Sequence, residues 1–228
     1  MTIENLSSIP IFIDLDEQEL AEVSESCTPR KYPKNSMIIL EEEFGDIVFV
    51  IGVGTVKITR VNDEGKEVIL SLLGAGEIFG EMAILDGEAR SANALAQEDC
   101  ELIAIQKSEF LRLLRRNFKI SFALMGELAK RLRKSDQQIE ALSLSDAEHR
   151  IGVSLLNLAE DMGVIRKGQV TIEKLPFQQD IANMSGTSRE TVSRVLKLFE
   201  DRHMITKVGH TVVIPDYAFF KRLFDKTV

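Results

Sequence analysis

The spacing of apolar positions changes three times along the chain. In residues 1–26 it predicts a short helix, with Asp16 and Glu19 as a capping-box-like start before Leu20, Ala21 and Val23. Between 30 and 106, short β-branched runs alternate with glycine: 37–40, 47–51, 55–61, 67–73 and 100–105 read as strands. Turns fall at Gly45, at Gly52 with Gly54, at 62–65, and at Gly74 with Gly76. Many short strands at this spacing predict a closed sandwich or barrel. From 107 to about 145 the period is helical. Leu111, Phe118, Met125, Leu132 and Ile139 lie seven apart, and Leu114, Ser121, Leu128, Ser135 and Leu142 follow three positions later. An a/d seam held for over four heptads, with no proline, predicts a coiled coil and a parallel homodimer. A helix of that span would be about 55–60 Å long, more than one small domain can cover. Two serines at d positions weaken the seam and are free to reach a ligand.

After 146 the pattern predicts helices at 146–162, 177–184 and 188–202, with a turn at Gly168. Residues 205–214 read as a hairpin turning at Gly209, and a short helix follows Pro215. Ser188 follows a Ser-Gly-Thr turn and is a good N-cap. On the helix it opens, Arg189, Glu190, Ser193 and Arg194 share one face, while Val192, Val195, Leu196 and Phe199 share another. Two arginines, a carboxylate and hydroxyls can hydrogen-bond base edges in a DNA major groove. With the helix before it, this segment reads as a helix-turn-helix, and the hairpin as its wing.

The chain has 228 residues, 44% hydrophobic and 28% charged, which fits one or two soluble globular domains. No run of eighteen apolar residues predicts a membrane span, and the first residues do not resemble a signal peptide. Cys27 and Cys100 are too few for a disulfide framework and read as reduced thiols in a cytosolic protein. The net charge of −8 is uneven: residues from 150 onward hold twelve Lys and Arg against nine Asp and Glu. The part that could meet phosphate is the less acidic part. All three histidines, His149, His203 and His210, lie outside the strand region, so no histidine cluster offers a metal site or an enzyme there.

Residues 76–92 hold the other informative segment. Gly80 frees the backbone, Glu81 offers an acceptor to a sugar hydroxyl, and Arg90 with Ser91 suits a phosphate. The same residue types also fit a plain turn with a surface salt bridge.

Together, GEMAILDGEARSA and SRETVSRVLKLFED resemble the phosphate-binding cassette and recognition helix of the cyclic-AMP receptor protein/fumarate-nitrate regulator family of bacterial transcription factors. The resemblance covers nearly the whole chain. It implies an α+β fold: a jelly-roll-like β-roll over 1–106, a coiled-coil dimerisation helix over 107–145, and a winged helix-turn-helix over 146–228. It implies that Glu81 takes a ribose hydroxyl, and that Arg90, Ser91 and the backbone near Gly80 and Met82 take a cyclic phosphate. Ser135 and Asp136 match a Thr-Ser pair that contacts adenine in cyclic-AMP-binding members, and Asp136 departs from that pattern. For DNA, Arg189, Glu190 and Arg194 would meet base edges, with Ser193 on the same DNA-facing side. Gln179, Ser188, Thr191, Lys197 and the wing near His210 would hold phosphates. The effector implied is a cyclic nucleotide, cyclic AMP, with no metal. The partners implied are a palindromic duplex with TGTGA-like half-sites, a second copy of the chain, and RNA polymerase, in the cytoplasm and away from membranes. Arg189 and Ser193 together leave TTGAT as an alternative half-site. Other ligands known in the family are cyclic GMP, cyclic di-GMP and haem or NO, and some members are constitutive. An iron–sulfur sensor fits poorly, because that branch needs four cysteines, three of them close together near the N-terminus, where this chain has only Cys27.

Overall fold

A computed structural model describes residues 6–225. The chain divides into two compact units, one of residues up to Gly65 with Leu70–Leu132, the other of Lys66–Ile69 with residues from Arg133 on.

The first unit opens with a 3-10 turn at Pro10–Phe12 and helix α1 (Glu17–Glu25). The Asp16 carboxylate accepts from the amides of Gln18 and Glu19 at 3.0 and 2.9 Å, and Glu19 accepts from the Asp16 amide at 2.8 Å. Both capping-box bonds are therefore made. Eight strands follow: β1 (Cys27–Tyr32), β2 (Met37–Ile39), β3 (Ile47–Val53), β4 (Val56–Val61), β5 (Glu67–Leu73), β6 (Ile78–Phe79), β7 (Asn93–Ala96) and β8 (Cys100–Gln106). They form two four-stranded sheets, ordered β1-β8-β3-β6 and β2-β7-β4-β5. A short helix, α2 (Met82–Asp86), sits between β6 and β7 in sequence.

The period-2 alternation of β3 sorts the core. Phe49 and Ile51 join Val56, Phe79 and Leu102 in one cluster. Val48 and Val50 join a second, with Leu20, Val23, Ile105, Phe110, Ile120 and Leu124. Three strands of this unit lie outside the β-branched runs, as do the two strands at 164–166 and 169–172 in the second unit. β1 is an edge strand with mostly exposed side chains and carries Pro29; an edge tolerates proline, and without a buried face it has no alternation to read. β6 has only two residues, and β7 is Asn-Ala-Leu-Ala.

The uninterrupted helix expected over 107–145 is instead two helices, α3 (Lys107–Arg116) and α4 (Phe118–Leu144, 27 residues). The break is Asn117, whose backbone is extended (φ −122°, ψ 103°). Its side-chain oxygen accepts from the amides of Lys119 and Ile120 at 3.0 and 3.3 Å, starting the new helix. Its side-chain nitrogen donates to Glu19 at 2.9 Å. Asparagine satisfies orphan amides at a helix start better than it continues a helix. The two seven-residue series therefore do not form one seam. Leu111, Leu114 and Leu128 pack on the unit's own core. Phe118, Phe122, Met125, Leu132 and Ile139 form the exposed apolar stripe of α4.

The second unit contains α5 (Ala147–Met162), capped by Asp146. Next come β9 (Val164–Arg166) and β10 (Gln169–Ile172), joined through Lys167 and Gly168, both at positive φ. Two left-handed residues between paired strands make a tight hairpin turn. Helices α6 (Gln178–Ser185) and α7 (Arg189–Asp201) flank Gly186, which takes the left-handed conformation (φ 58°) that ends α6. The wing is β11 (Thr206–Val208) and β12 (Thr211–Ile214), and α8 (Tyr217–Phe224) follows. The sheet order β11-β12-β10-β9 joins wing and hairpin. Arg150 fixes the turn after α6 by donating to the carbonyls of Ser185 and Ser145, each at 2.9 Å. The rings of Phe199, Phe220 and Phe224 close the core beneath α7.

Candidate functional site

In the first unit, β6 delivers Gly80 and Glu81 to the start of α2. Gly80 has φ +78°, and a Cβ there would lie 2.8 Å from Arg90 Nη1. It is glycine for both conformation and space. Arg90 is 7% exposed. Its Nη1 donates to the Gly80 carbonyl at 2.6 Å and its Nη2 to the Ile47 carbonyl at 2.7 Å. Among the described residues it forms no direct ion pair. Burial lowers its pKa, and the fields of Asp46 and Glu81 oppose that. Ser91 is exposed, with its hydroxyl 3.8 Å from the Met82 sulfur. Met82 and Ala83 open α2, so their amides have no acceptor within the helix. A guanidinium, a hydroxyl and first-turn amides together make a donor set for a phosphate.

Glu81 is 2% exposed. Burial pushes its carboxyl above the usual range, and the Arg131 guanidinium pulls it back. Arg131 Nη1 donates to Glu81 Oε1 at 3.1 Å, and Nη2 donates to the Ile78 carbonyl at 2.5 Å. Its Nε donates to Glu127 at 3.2 Å. The residue types of 76–92 give no sign of Arg131, which reaches Glu81 from α4. A helical spacing of four from Arg131 to Glu127 was the only trace in the sequence. Ser135 and Asp136 lie further along α4, in the second unit, and both are exposed.

In the second unit, Arg189, Glu190, Ser193, Arg194 and Lys197 are exposed along α7, and Val192, Val195, Leu196 and Phe199 are buried. Ser188 caps the helix: its hydroxyl accepts from the Thr191 amide at 3.2 Å and lies 3.1 Å from the Thr191 hydroxyl. The Glu190 carboxyl is held below its usual range by its own backbone amide, then by Ser188, so it stays an acceptor. Lys197 pairs with Asp201 at 3.0 Å. Gln179 donates to Asn183 at 2.9 Å. At the wing, the His210 ring stands edge-on to Phe177 at 5.6 Å. Lys207 shares that cleft with Gln179, Arg189 and His210, and is a cation the sequence reading missed.

Both cysteines are free. Cys100 is buried, and burial pushes the Cys27 thiol up to about 12. Among the described residues no helix is long and apolar enough to cross a membrane.

Comparison with known proteins follows the same division. Residues 29–117 match the cyclic nucleotide-binding domain and residues 149–223 the Crp-like helix-turn-helix domain. The cyclic AMP receptor protein of Thermus thermophilus is 33% identical over 94% of this chain and 96% of its own length. The cAMP-activated global transcriptional regulator of Haemophilus influenzae is 35% identical over 82% and 84%. A CooA variant from Carboxydothermus hydrogenoformans has the same fold, with a TM-score of 0.78 at 23% identity over 95% of each chain. With a relative above 30% identity along nearly its whole length and both domains in order, the chain belongs to the cyclic-AMP receptor protein/fumarate-nitrate regulator family of helix-turn-helix transcription regulators.

Proposed function

We propose that this chain is a homodimeric, sequence-specific DNA-binding regulator of the cytoplasm, not an enzyme, switched by a cyclic nucleotide, and that the nucleotide is cyclic AMP. The observation that carries the reading is Arg90. A buried guanidinium hydrogen-bonded only to neutral carbonyls has no directly bonded counter-charge, and the Asp46 and Glu81 carboxylates act on it only through their fields. Burying a cation in that way is costly unless an anion joins it. A cyclic phosphate supplies one negative charge in the right place. The names of the two curated relatives above favour cyclic AMP.

In this reading Arg90, Ser91 and the amides near Gly80 and Met82 hold the phosphate, and Glu81 accepts from the ribose hydroxyl. Ser135 and Asp136 meet the base. A carboxylate at 136 can accept from the adenine amino group or from N1 and N2 of guanine, so cyclic GMP is the competing effector. Arg189 and Arg194 read guanine O6 and N7, and Glu190 accepts from cytosine N4, which suits a TGTGA half-site; Ser193 keeps TTGAT as its rival. Gln179, Ser188, Thr191, Lys197 and His210 hold phosphates. The segment 160–170, which the sequence suggests as a loop and which is the end of α5 with the β9–β10 turn, is one candidate contact for RNA polymerase. Two recognition helices one DNA turn apart, about 34 Å, then read a palindrome. The nucleotide acts only through its different affinity for two dimer states.

Calorimetric titration with cyclic AMP, cyclic GMP and cyclic di-GMP tests the pocket. Arg90→Ala removes charge-assisted bonds and is expected to weaken nucleotide binding about tenfold or more. Unchanged affinity in that variant would overturn the assignment.

A further inference from the structure

Gly45 stands outside the 76–92 segment, yet it bears on the same guanidinium. We infer that Gly45 is a positioning residue for the phosphate site: its missing side chain is the berth in which Arg90 sits. The inference rests on the reading of Arg90 as the phosphate ligand.

Glycine is often needed for a left-handed backbone, but Gly45 is not among the glycines with positive φ. Conformation therefore does not call for it. Space does: a Cβ built at 45 would overlap Nη2, Nε and Cζ of Arg90. Moving the loop away would strain backbone hydrogen bonds on both sides of Gly45. The Glu42 amide donates to the Arg90 carbonyl, and the Arg90 amide donates to the Glu43 carbonyl, each at 2.9 Å. On the far side the Lys107 amide donates to the Asp46 carbonyl at 2.7 Å. Residues 42–46 are thus tied at both ends, one of them to the backbone of Arg90 itself. The other wall of the berth is Gly80, whose absent Cβ makes room for Nη1. Two glycines therefore flank one guanidinium, and the Ile47 and Gly80 carbonyls aim it.

A methyl group at 45 has one inexpensive outlet. The guanidinium is the far end of a flexible side chain, so it leaves its two carbonyls while the sheets stay as they are. Fold and ligand affinity separate, which makes the inference testable on the full chain. Calorimetry with cyclic AMP and cyclic GMP is run on four proteins: the natural sequence, Gly45→Ala, Arg90→Ala and the double variant. Gly45→Ala is expected to weaken binding of whichever nucleotide binds by about tenfold or more, the scale of one or two misplaced charge-assisted bonds. In the Arg90→Ala background the berth is vacant, so adding Gly45→Ala should change neither affinity nor melting temperature further. A merely structural role would persist in that background. If Arg90→Ala weakens binding and Gly45→Ala does not, the berth is refuted while the phosphate site stands. If the two substitutions add independently, the berth is likewise refuted. If neither nucleotide binds, or Arg90→Ala binds as well as the natural sequence, the phosphate site falls and the berth with it.

Discussion

Arg90 and Arg194 are the same side chain set to different work by their surroundings. Arg90 is nearly closed off and aimed by two carbonyls, whereas Arg194 is exposed on α7. The first suits a fixed anion and the second a base edge that arrives from outside. Arg194→Ala is therefore expected to lose about 1–3 kcal/mol of discrimination between a TGTGA site and a scrambled duplex. Competition binding at matched salt checks this, and equal losses on both duplexes would mark Arg194 as a phosphate contact. The exposed and buried faces of α7 were legible because helical spacing alone separates Arg189, Glu190, Ser193 and Arg194 from Val192, Val195, Leu196 and Phe199. Arg131 and Gly45 were not legible. Each acts on a residue about fifty positions away, and only the closed fold brings them there.

At the scale of elements, the strands that bury one face were readable and those that do not were not. β3 and β8 supply both core clusters, while β1 lies at an edge with Pro29 inside it. The seven-residue series ran straight through Asn117, because it counts apolar positions and ignores caps. Glu19 ties that junction together: it accepts from Asn117 and, at 2.8 Å, from Lys119, and it closes the box at Asp16. The Lys119 ammonium first, and then the Asp16 amide, hold its carboxyl below the ordinary value of 4.5. A carboxyl lowered in the folded state adds stability above its unfolded value and loses it as pH falls through the folded value. Glu19→Gln should thus lower the melting temperature at pH 7, with the gap to the natural protein narrowing as pH drops below 4.5. A gap that stays constant from pH 7 into acid would show that the carboxylate charge does not hold the junction.

At the scale of the molecule, the stripe of Phe118, Phe122, Met125, Leu132 and Ile139 runs along a helix about 40 Å long. Leu132 alone is 64% exposed in a single chain. A continuous apolar stripe of this kind is what a second helix covers. Leu132→Glu puts like charges face to face in a parallel pair. Sedimentation should show it shifting from dimer to monomer, with its circular dichroism retained. A dimer unaffected by that change would move the interface off α4. The order of modules was legible from the change of period along the chain. The period says nothing of an effector, and the exposed Asp136 carboxylate, the proposed base contact, suits either purine.

Control of DNA binding by a cyclic nucleotide is read out by fluorescence anisotropy on a palindromic TGTGA duplex. The full chain is titrated at one fixed salt concentration, alone and with saturating cyclic AMP, with cyclic GMP as a parallel arm. The predicted result is at least about fivefold tighter binding with one of the two nucleotides, the lower end of ordinary allosteric coupling, and no such gain in Arg90→Ala. Equal affinity of the natural sequence with and without either nucleotide would mean that no such switch operates.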